Sequence, residues 1–196
     1  MDDSLTKYIQ DAIGEKINPD SDDYFVGKLE LRKIWQEARS KRSSNGEADL
    51  LRNQFITAIL ENEQDGENCF LITTASILAW IGWTEWAEFH EDFVRDGKPR
   101  YPLPLRQQDA RSSLGQVGSL FCDVQSHFYS KMIEEGHDMK FSAVERPPFV
   151  EDEVPIGEGA YGKVFKVKIV PGYFKGHTQQ DSTKVRTSLA ARLCSP

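Results

Sequence analysis

Three glycines in the stretch "VPIGEGAYGKVFKVKIV" (residues 154–170) stand at the spacing G-x-G-x-x-G. Gly157, Gly159 and Gly162 carry no side chain, so the backbone N–H groups around them can turn towards phosphate oxygens. The chemistry that this spacing predicts is the binding of a nucleotide through its phosphates. The elements on either side of the glycines decide which nucleotide-binding fold the stretch belongs to.

The residues after the third glycine exclude two common phosphate-binding folds. A dinucleotide-binding loop runs into a helix whose N-terminus faces the pyrophosphate. Here "KVFKVKIV" follows instead, which is rich in β-branched residues and alternates as a strand does. A Walker A loop ends in G-K-[ST], whereas Lys163 is followed by Val164. The pattern therefore predicts a strand, a glycine loop and a second strand.

The residues "IGEGAYGKV" fit G-x-G-x-x-G-x-V at every fixed position, and on them the stretch resembles the phosphate loop of protein kinases. The resemblance covers about residues 155–169. It implies an enzyme that transfers the γ-phosphoryl group of ATP, bound with magnesium, to Ser or Thr hydroxyls. The ATP-binding residues that it implies are Ile156, Gly157, Glu158, Gly159, Ala160, Tyr161, Gly162, Lys163 and Val164.

The resemblance also implies a role for the side chains around the glycines. Tyr161 would cover the loop tip and shield the phosphates, and Val164 would lie against the adenine. Phe165, Val167 and Ile169 would pack on the other side of the sheet.

Other residues that a kinase needs are missing from the chain. A kinase uses a lysine in a V-A-x-K third strand, a catalytic H-R-D loop and a D-F-G aspartate. Neither H-R-D nor D-F-G occurs, and no lysine after the hairpin has a V-A-x-K setting. We therefore expect a truncated kinase with no catalytic residue, no metal site, ATP binding weaker than millimolar and no measurable phosphoryl transfer. Whether the chain is an enzyme stays open at this point.

Residues 1–135 show a helical repeat of apolar residues and predict a bundle of five or six helices. We expect helices near 28–42, 47–63, 67–81 and 113–135, a first one around Leu5–Ile13 and a short one after residue 84. The helix near 67–81 is apolar nearly all round, which is typical of a central buried helix. Its predicted C-terminal cap is Gly82.

The chain as a whole is expected to be mostly α, with a helical bundle before a short antiparallel hairpin that looks like the first two strands of a kinase N-lobe. The predicted domains are 1–135 (helical), 136–153 (linker), 154–183 (truncated N-lobe hairpin and loop) and 184–196 (irregular tail). The helical part resembles segments that precede kinase domains in filamentous-fungal proteins, through "LRKIWQ", "TASILAWIGWTEWAEF" and "LGQVGSLFCDVQSHF". The alternative is a stand-alone helical interaction module, with an unknown protein partner and a vestigial hairpin.

The net charge and the apolar content of the chain limit the classes of partner that it can have. The net charge of −7, from 24 basic and 31 acidic residues, argues against a nucleic-acid surface. The longest apolar stretch, about 15 residues, is shorter than the ~20 that a membrane span needs. We therefore expect an intracellular, cytoplasmic protein without a membrane span.

Other side chains that could do chemistry have simpler explanations. His90, Glu91 and Asp92 are expected on the solvated face of a helix, and a metal pair of His127 and His137 is not expected. The four tryptophans are expected in the core, with a partner-binding groove as the alternative; they are Trp35, Trp80, Trp83 and Trp86.

Overall fold

The computed structural model describes residues 3–17, 25–41, 46–61, 70–95, 98–99, 103–142, 145–159, 162–176 and 187–193. It is mostly helical with short strands. The chain divides into two compact units, Met1–Tyr129 and Ser130–Pro196. Each unit has its own secondary structure, helical in the first and β in the second.

Seven α-helices and one short antiparallel strand pair form the described part of the first unit. The helices are α1 (Asp3–Gly14), α2 (Lys28–Ser40), α3 (Gly46–Glu61), α4 (Phe70–Trp80), α5 (Phe89–Phe93), α6 (Gln107–Leu114) and α7 (Gly118–Val124). The strands are β1 (Val94–Arg95) and β2 (Lys98–Pro99).

Amphipathic spacing explains the core of this unit. In α1, Leu5, Ile9 and Ile13 recur at intervals of four and are fully buried. In α2 the predicted inward residues are the buried ones, namely Leu31, Ile34, Trp35 and Ala38. Every described side chain of α4 from 71 to 79 is buried, so the prediction of a central helix is confirmed.

The C-terminal cap of α4 is also confirmed. Gly82 has φ 75°, and its N–H donates to the Ala79 carbonyl at 3.0 Å. The N–H of Trp83 donates to the Leu78 carbonyl at 2.9 Å. These two bonds form a Schellman motif, which satisfies carbonyl groups that the helix end leaves without partners.

The buried face of α3 agrees only in part with the one the sequence predicts. We expected Leu51, Phe55, Ala58 and Ile59 to face inward: Ile59 is fully buried and Phe55 packs half-buried against the core, whereas the side chain of Leu51 lies outside the described ones. The buried residues also include Arg52, Ile56 and Leu60, which the prediction left out. Because α3 carries apolar residues on more than one side, periodicity alone does not choose between adjacent stripes. Contacts with neighbouring helices decide which of these stripes is buried.

The single helix expected near 113–135 is wrong. The chain forms α6, a 3₁₀ turn at Gly115–Val117, α7 and a second 3₁₀ turn at Gln125–His127. Gly115 ends α6 with φ 54° and ψ −123°, a conformation that is open to glycine. The apolar period continues across this break because α6 and α7 both contribute to the same core.

Five strands form the described secondary structure of the second unit. They are β3 (Ile133–Glu134), β4 (Phe149–Gly159), β5 (Gly162–Ile169), β6 (Phe174–Lys175) and β7 (Thr187–Leu193). β3 and β6 form a parallel pair, and β4, β5 and β7 form a sheet in the order β4-β5-β7.

The predicted boundary at 135 and linker at 136–153 also differ from the structure. The helical unit ends at Tyr129, and the following segment is bonded within the second unit. Ser130 Oγ donates to the Arg146 carbonyl at 2.5 Å, and Lys131 Nζ lies 2.7 Å from a carboxylate oxygen of Glu145. Prolines and acidic residues favour extended backbone here but do not reveal these contacts, which join residues far apart in sequence.

Candidate functional site

The glycine stretch lies on an antiparallel hairpin. β4 pairs with β5, and the last pair before the turn is Gly159 with Gly162. Two residues connect the strands, Ala160 and Tyr161, and both lie outside the described residues. Glu158 and Lys163 form a cross-strand pair by their backbones, and their side chains also lie outside the described part.

A β-bulge precedes the glycines. Pro155 pairs with Phe165 and Gly157 with Val164, so Ile156 is an extra residue on β4. Ile156 and Gly157 therefore oppose the single residue Val164. Bulges of this kind are common next to functional sites, because they change the direction of a strand locally.

The surroundings of Gly157 do not explain why it is glycine. A Cβ built at this position meets no heavy atom within 4 Å, and its φ lies outside the left-handed region. Neighbouring Ile156 is 60% exposed although it is apolar, and Val164 opposite is half-buried. The bulge thus presents bare backbone next to one exposed and one half-buried apolar side chain.

The two faces of β5 differ strongly. Val167 and Ile169 are 1% and 2% exposed and face the interior of the unit, as the alternation predicts. The other face carries Val164, Lys166 and Lys168, of which Lys166 is exposed. The side chain of Phe165, expected on the inner face, lies outside the described ones.

A third strand was missed by the sequence analysis. Residues 184–196 were expected to be irregular, but Thr187–Leu193 pairs antiparallel with β5. Within it, Arg192 stands opposite Val164 and Ala190 opposite Lys166. Residues directly opposite in a sheet share a face, so Arg192 is on the face of Val164 and Gly157.

A signal for this strand is present in the sequence. Leu189-Ala190-Ala191-Arg192 follows the V-A-x-K pattern with Leu for Val and Arg for Lys. The stretch lacks the lysine of that pattern, and its Ala and Ser residues have little β-propensity of their own. The pairing with β5 stabilises this strand although its own residues have little preference for a strand.

The tryptophans lie in the helical core. Trp35 is fully buried, Trp83 and Trp86 are each 4% exposed, and Trp80 is half-buried. Two of the indole N–H groups have buried acceptors: Trp35 Nε1 donates to Ser76 Oγ at 2.9 Å, and Trp86 Nε1 donates to Thr6 Oγ1 at 3.1 Å. The core interpretation is confirmed for these side chains.

The other ionisable side chains considered for catalysis or metal binding do not form a buried cluster among the described residues. Glu91 is exposed and Asp92 half-buried, while the side chain of His90 lies outside those described. His137 Nδ1 lies 2.9 Å from Glu134 Oε2. Burial raises the pKa of the Cys122 thiol, with the charge of Asp123 adding to the effect. In the described part of the chain, no group of three or more His, Cys, Asp or Glu residues could hold a metal ion.

Comparisons with known proteins give no relative from which to transfer a function: no protein-family model, no curated protein and no solved structure matches the chain. Within the described residues, none of the helices combines the length and apolar character needed to cross a bilayer.

Proposed function

We propose that β4, β5 and β7 are the nucleotide-binding sheet of a protein kinase N-lobe, and that the glycine hairpin binds the triphosphate of ATP. The observation that carries this proposal is the open space at Gly157. Neither packing nor backbone conformation requires glycine there. Glycine in a strand interior lowers stability and often marks a position where another group approaches the backbone closely, and a phosphate is such a group.

The surrounding residues support the same ligand. Ile156 and Val164 offer an exposed and a half-buried apolar side chain beside the bare backbone, which suits one face of an adenine ring. Arg192 lies opposite Val164 on the third strand of the sheet, and the resemblance places the phosphate-binding lysine on a third strand. A guanidinium carries a permanent charge and binds phosphate oxygens in pairs, so it can take over that contact.

Binding and catalysis are separate in this proposal. The resemblance assigns catalysis to an H-R-D aspartate and metal binding to a D-F-G aspartate, and the 196 residues contain neither motif. We therefore propose that this chain binds ATP weakly and does not transfer its phosphoryl group. With this function we expect an intracellular, cytoplasmic location, where ATP is available.

The test is an ATP titration of the ¹⁵N-labelled chain followed by amide chemical shifts. We expect the amides of Gly157, Gly159 and Gly162 to move with ATP. Gly157→Val should abolish these shifts while the thermal midpoint stays within error, because the position is exposed, a Cβ there meets no heavy atom within 4 Å, and valine suits a strand. Equal shifts in the variant would contradict the proposal, and so would shifts confined to the helical unit.

The alternative function, a helical protein-interaction module, rests on a different observation. Leu50 on α3 and Leu120 on α7 are 58% and 52% exposed, while the unit has a complete core of its own. Limited proteolysis distinguishes the two. A protected fragment that ends near residue 129, with the rest digested, favours the helical module, whereas protection of residues 130–193 favours the nucleotide-binding sheet.

A further inference from the structure

The loop that follows β3 is held in place by polar contacts rather than by burial. Gly136 turns the chain after β3 with φ 79°, and residues 137–142 follow without regular secondary structure. None of the residues from 137 to 142 is buried. A segment with few buried apolar contacts opens at a low free energy, so its polar contacts decide how firmly this loop is held.

The last three residues of the loop each contact a member of one ion pair. Lys131 Nζ lies 2.7 Å from Glu145 Oε1. The same ammonium donates to the Lys140 carbonyl at 3.4 Å and lies 6.0 Å from the centre of the Phe141 ring. On the other side of the pair, Glu145 Oε2 accepts a hydrogen bond from the Ser142 N–H at 2.8 Å. Both charges therefore help to hold residues 140–142.

This ion pair is sheltered enough to matter. The side chains of Lys131 and Glu145 are 40% and 20% exposed, so water and salt screen their attraction less than that of a fully exposed pair. Hydrogen bonds to charged groups are also stronger than those between neutral groups. Removal of either charge weakens the attachment of the loop.

The first residue of the loop is attached to β3 by contacts that do not involve the ion pair. The His137 N–H donates to the Glu134 carbonyl at 3.3 Å, and His137 Nδ1 lies 2.9 Å from Glu134 Oε2. Loss of the Lys131–Glu145 pair therefore frees one end of the loop while the other end stays attached.

Other contacts of the second unit are also independent of this pair. The Ile133 N–H donates to the Tyr173 carbonyl at 2.8 Å and joins β3 to the segment before β6. Ser130 Oγ donates to the Arg146 carbonyl at 2.5 Å. Because these bonds do not need the charges of Lys131 and Glu145, the loop can open while the unit stays folded.

We propose that residues 137–142 form a strap that opens and closes locally, and that the Lys131–Glu145 ion pair is its latch. The strap is hinged at Gly136 and His137, and it is released at Lys140, Phe141 and Ser142. It is a property of the second unit itself and does not depend on the proposed nucleotide site.

The test is limited trypsin digestion of the full chain, with mass spectrometry of the fragment that begins at Phe141. At low protease concentration the rate of cleavage after Lys140 measures the population of the open strap. Lys131→Met should speed this cleavage about three- to tenfold, the effect of losing a partly exposed ion pair with its hydrogen bonds. Lys33→Met is the matched control: it breaks an exposed ion pair with Glu30 in the helical unit and should leave the rate unchanged.

Urea distinguishes local opening from unfolding of the whole unit. Cleavage after Lys140 should depend little on urea below the unfolding transition, because opening of the strap exposes little surface. Lys131→Arg keeps the charge and should stay close to the parent rate. An unchanged rate in Lys131→Met would overturn the proposal, and so would an increase with the steep urea dependence of global unfolding. If Lys131→Met unfolds the unit, Glu145→Gln decides instead: it should speed cleavage about two- to fivefold, and an unchanged rate would contradict the latch.

Discussion

Gly118 lies against the backbone of Ala110 so closely that a Cβ at 118 would stand 2.4 Å from the Ala110 carbonyl oxygen. This contact joins the start of α7 to the middle of α6. It explains why a glycine occupies this buried helical position, because a side chain there would clash with the backbone of α6.

Gly118→Ala should destabilise the helical unit by about 2–3 kcal/mol, because the neighbour is backbone and cannot move aside cheaply. Gly14→Ala is the matched control. Its Cβ meets nothing within 4 Å, and alanine in a helix should raise stability by up to about 1 kcal/mol. Urea unfolding of both variants measures the difference, and a Gly118→Ala variant as stable as the parent would show that α6 and α7 do not approach this closely.

Gly82→Ala should lower the free energy of unfolding by about 1–2 kcal/mol, since φ 75° is strained for any residue with a Cβ. The new methyl itself fits, with its nearest neighbour 3.7 Å away. Gly82→Asn should cost less than Gly82→Ala, because asparagine tolerates the left-handed region. Equal losses for the two variants would count against the Schellman cap at the end of α4.

Thr6→Val should cost about 1–3 kcal/mol by leaving the buried indole N–H of Trp86 without its acceptor. Val and Thr have nearly the same shape, so the loss reports the hydrogen bond. Thr6→Ser keeps the hydroxyl and should recover most of the stability. Thermal unfolding measured by near-ultraviolet circular dichroism follows the same tryptophan.

The second unit should lose stability in acid through Glu145. The hydrogen bond from Lys131 holds the pKa of this carboxyl below its usual 4.5, with the Ser142 N–H adding to the effect. A lowered folded-state pKa means that the stabilisation is complete above the unfolded-state value and is lost as the pH falls through the folded one. We expect the thermal midpoint of the second unit to fall below about pH 4.5.

Glu145→Gln should make that midpoint less dependent on pH over the same range, and Asp138→Asn, at an exposed neighbouring position, serves as the control. Amide signals of Ile133 and Tyr173 report this unit specifically, since the Ile133 N–H donates to the Tyr173 carbonyl at 2.8 Å. An unchanged acid response in Glu145→Gln would rule out the Lys131–Glu145 pair as its source.

Local patterns predicted the parts of the fold that local forces determine. The buried faces of α1 and α2 follow directly from residue spacing, and the cap at Gly82 follows from residue type. The break between α6 and α7 could not be predicted, because its reasons are the backbone angle at Gly115 and the close approach of Gly118 to the backbone of Ala110.

The same limit applies to the candidate site. The glycines and Val164 are visible as a motif because they are adjacent in sequence. Arg192 lies beside them only because it pairs with Val164, 28 positions earlier in the chain. The local pattern of neither strand predicts a pairing at that separation. Nor does the sequence show that Ile156 forms a bulge.

The bulge at Ile156 determines which face of the sheet the residues of β4 belong to. Gly157 opposes Val164 and Gly159 opposes Gly162, so all three glycines belong to one face of the sheet. Pro155 and Gly157 are two positions apart in the chain but belong to opposite faces, because the extra residue Ile156 shifts the alternation of β4 by one. In a regular strand paired as now at Gly157, Pro155 would stand opposite Lys166, and the residues before it would turn to the other face. The single inserted residue therefore decides which face the first part of β4 presents, while the turn keeps the three glycines together.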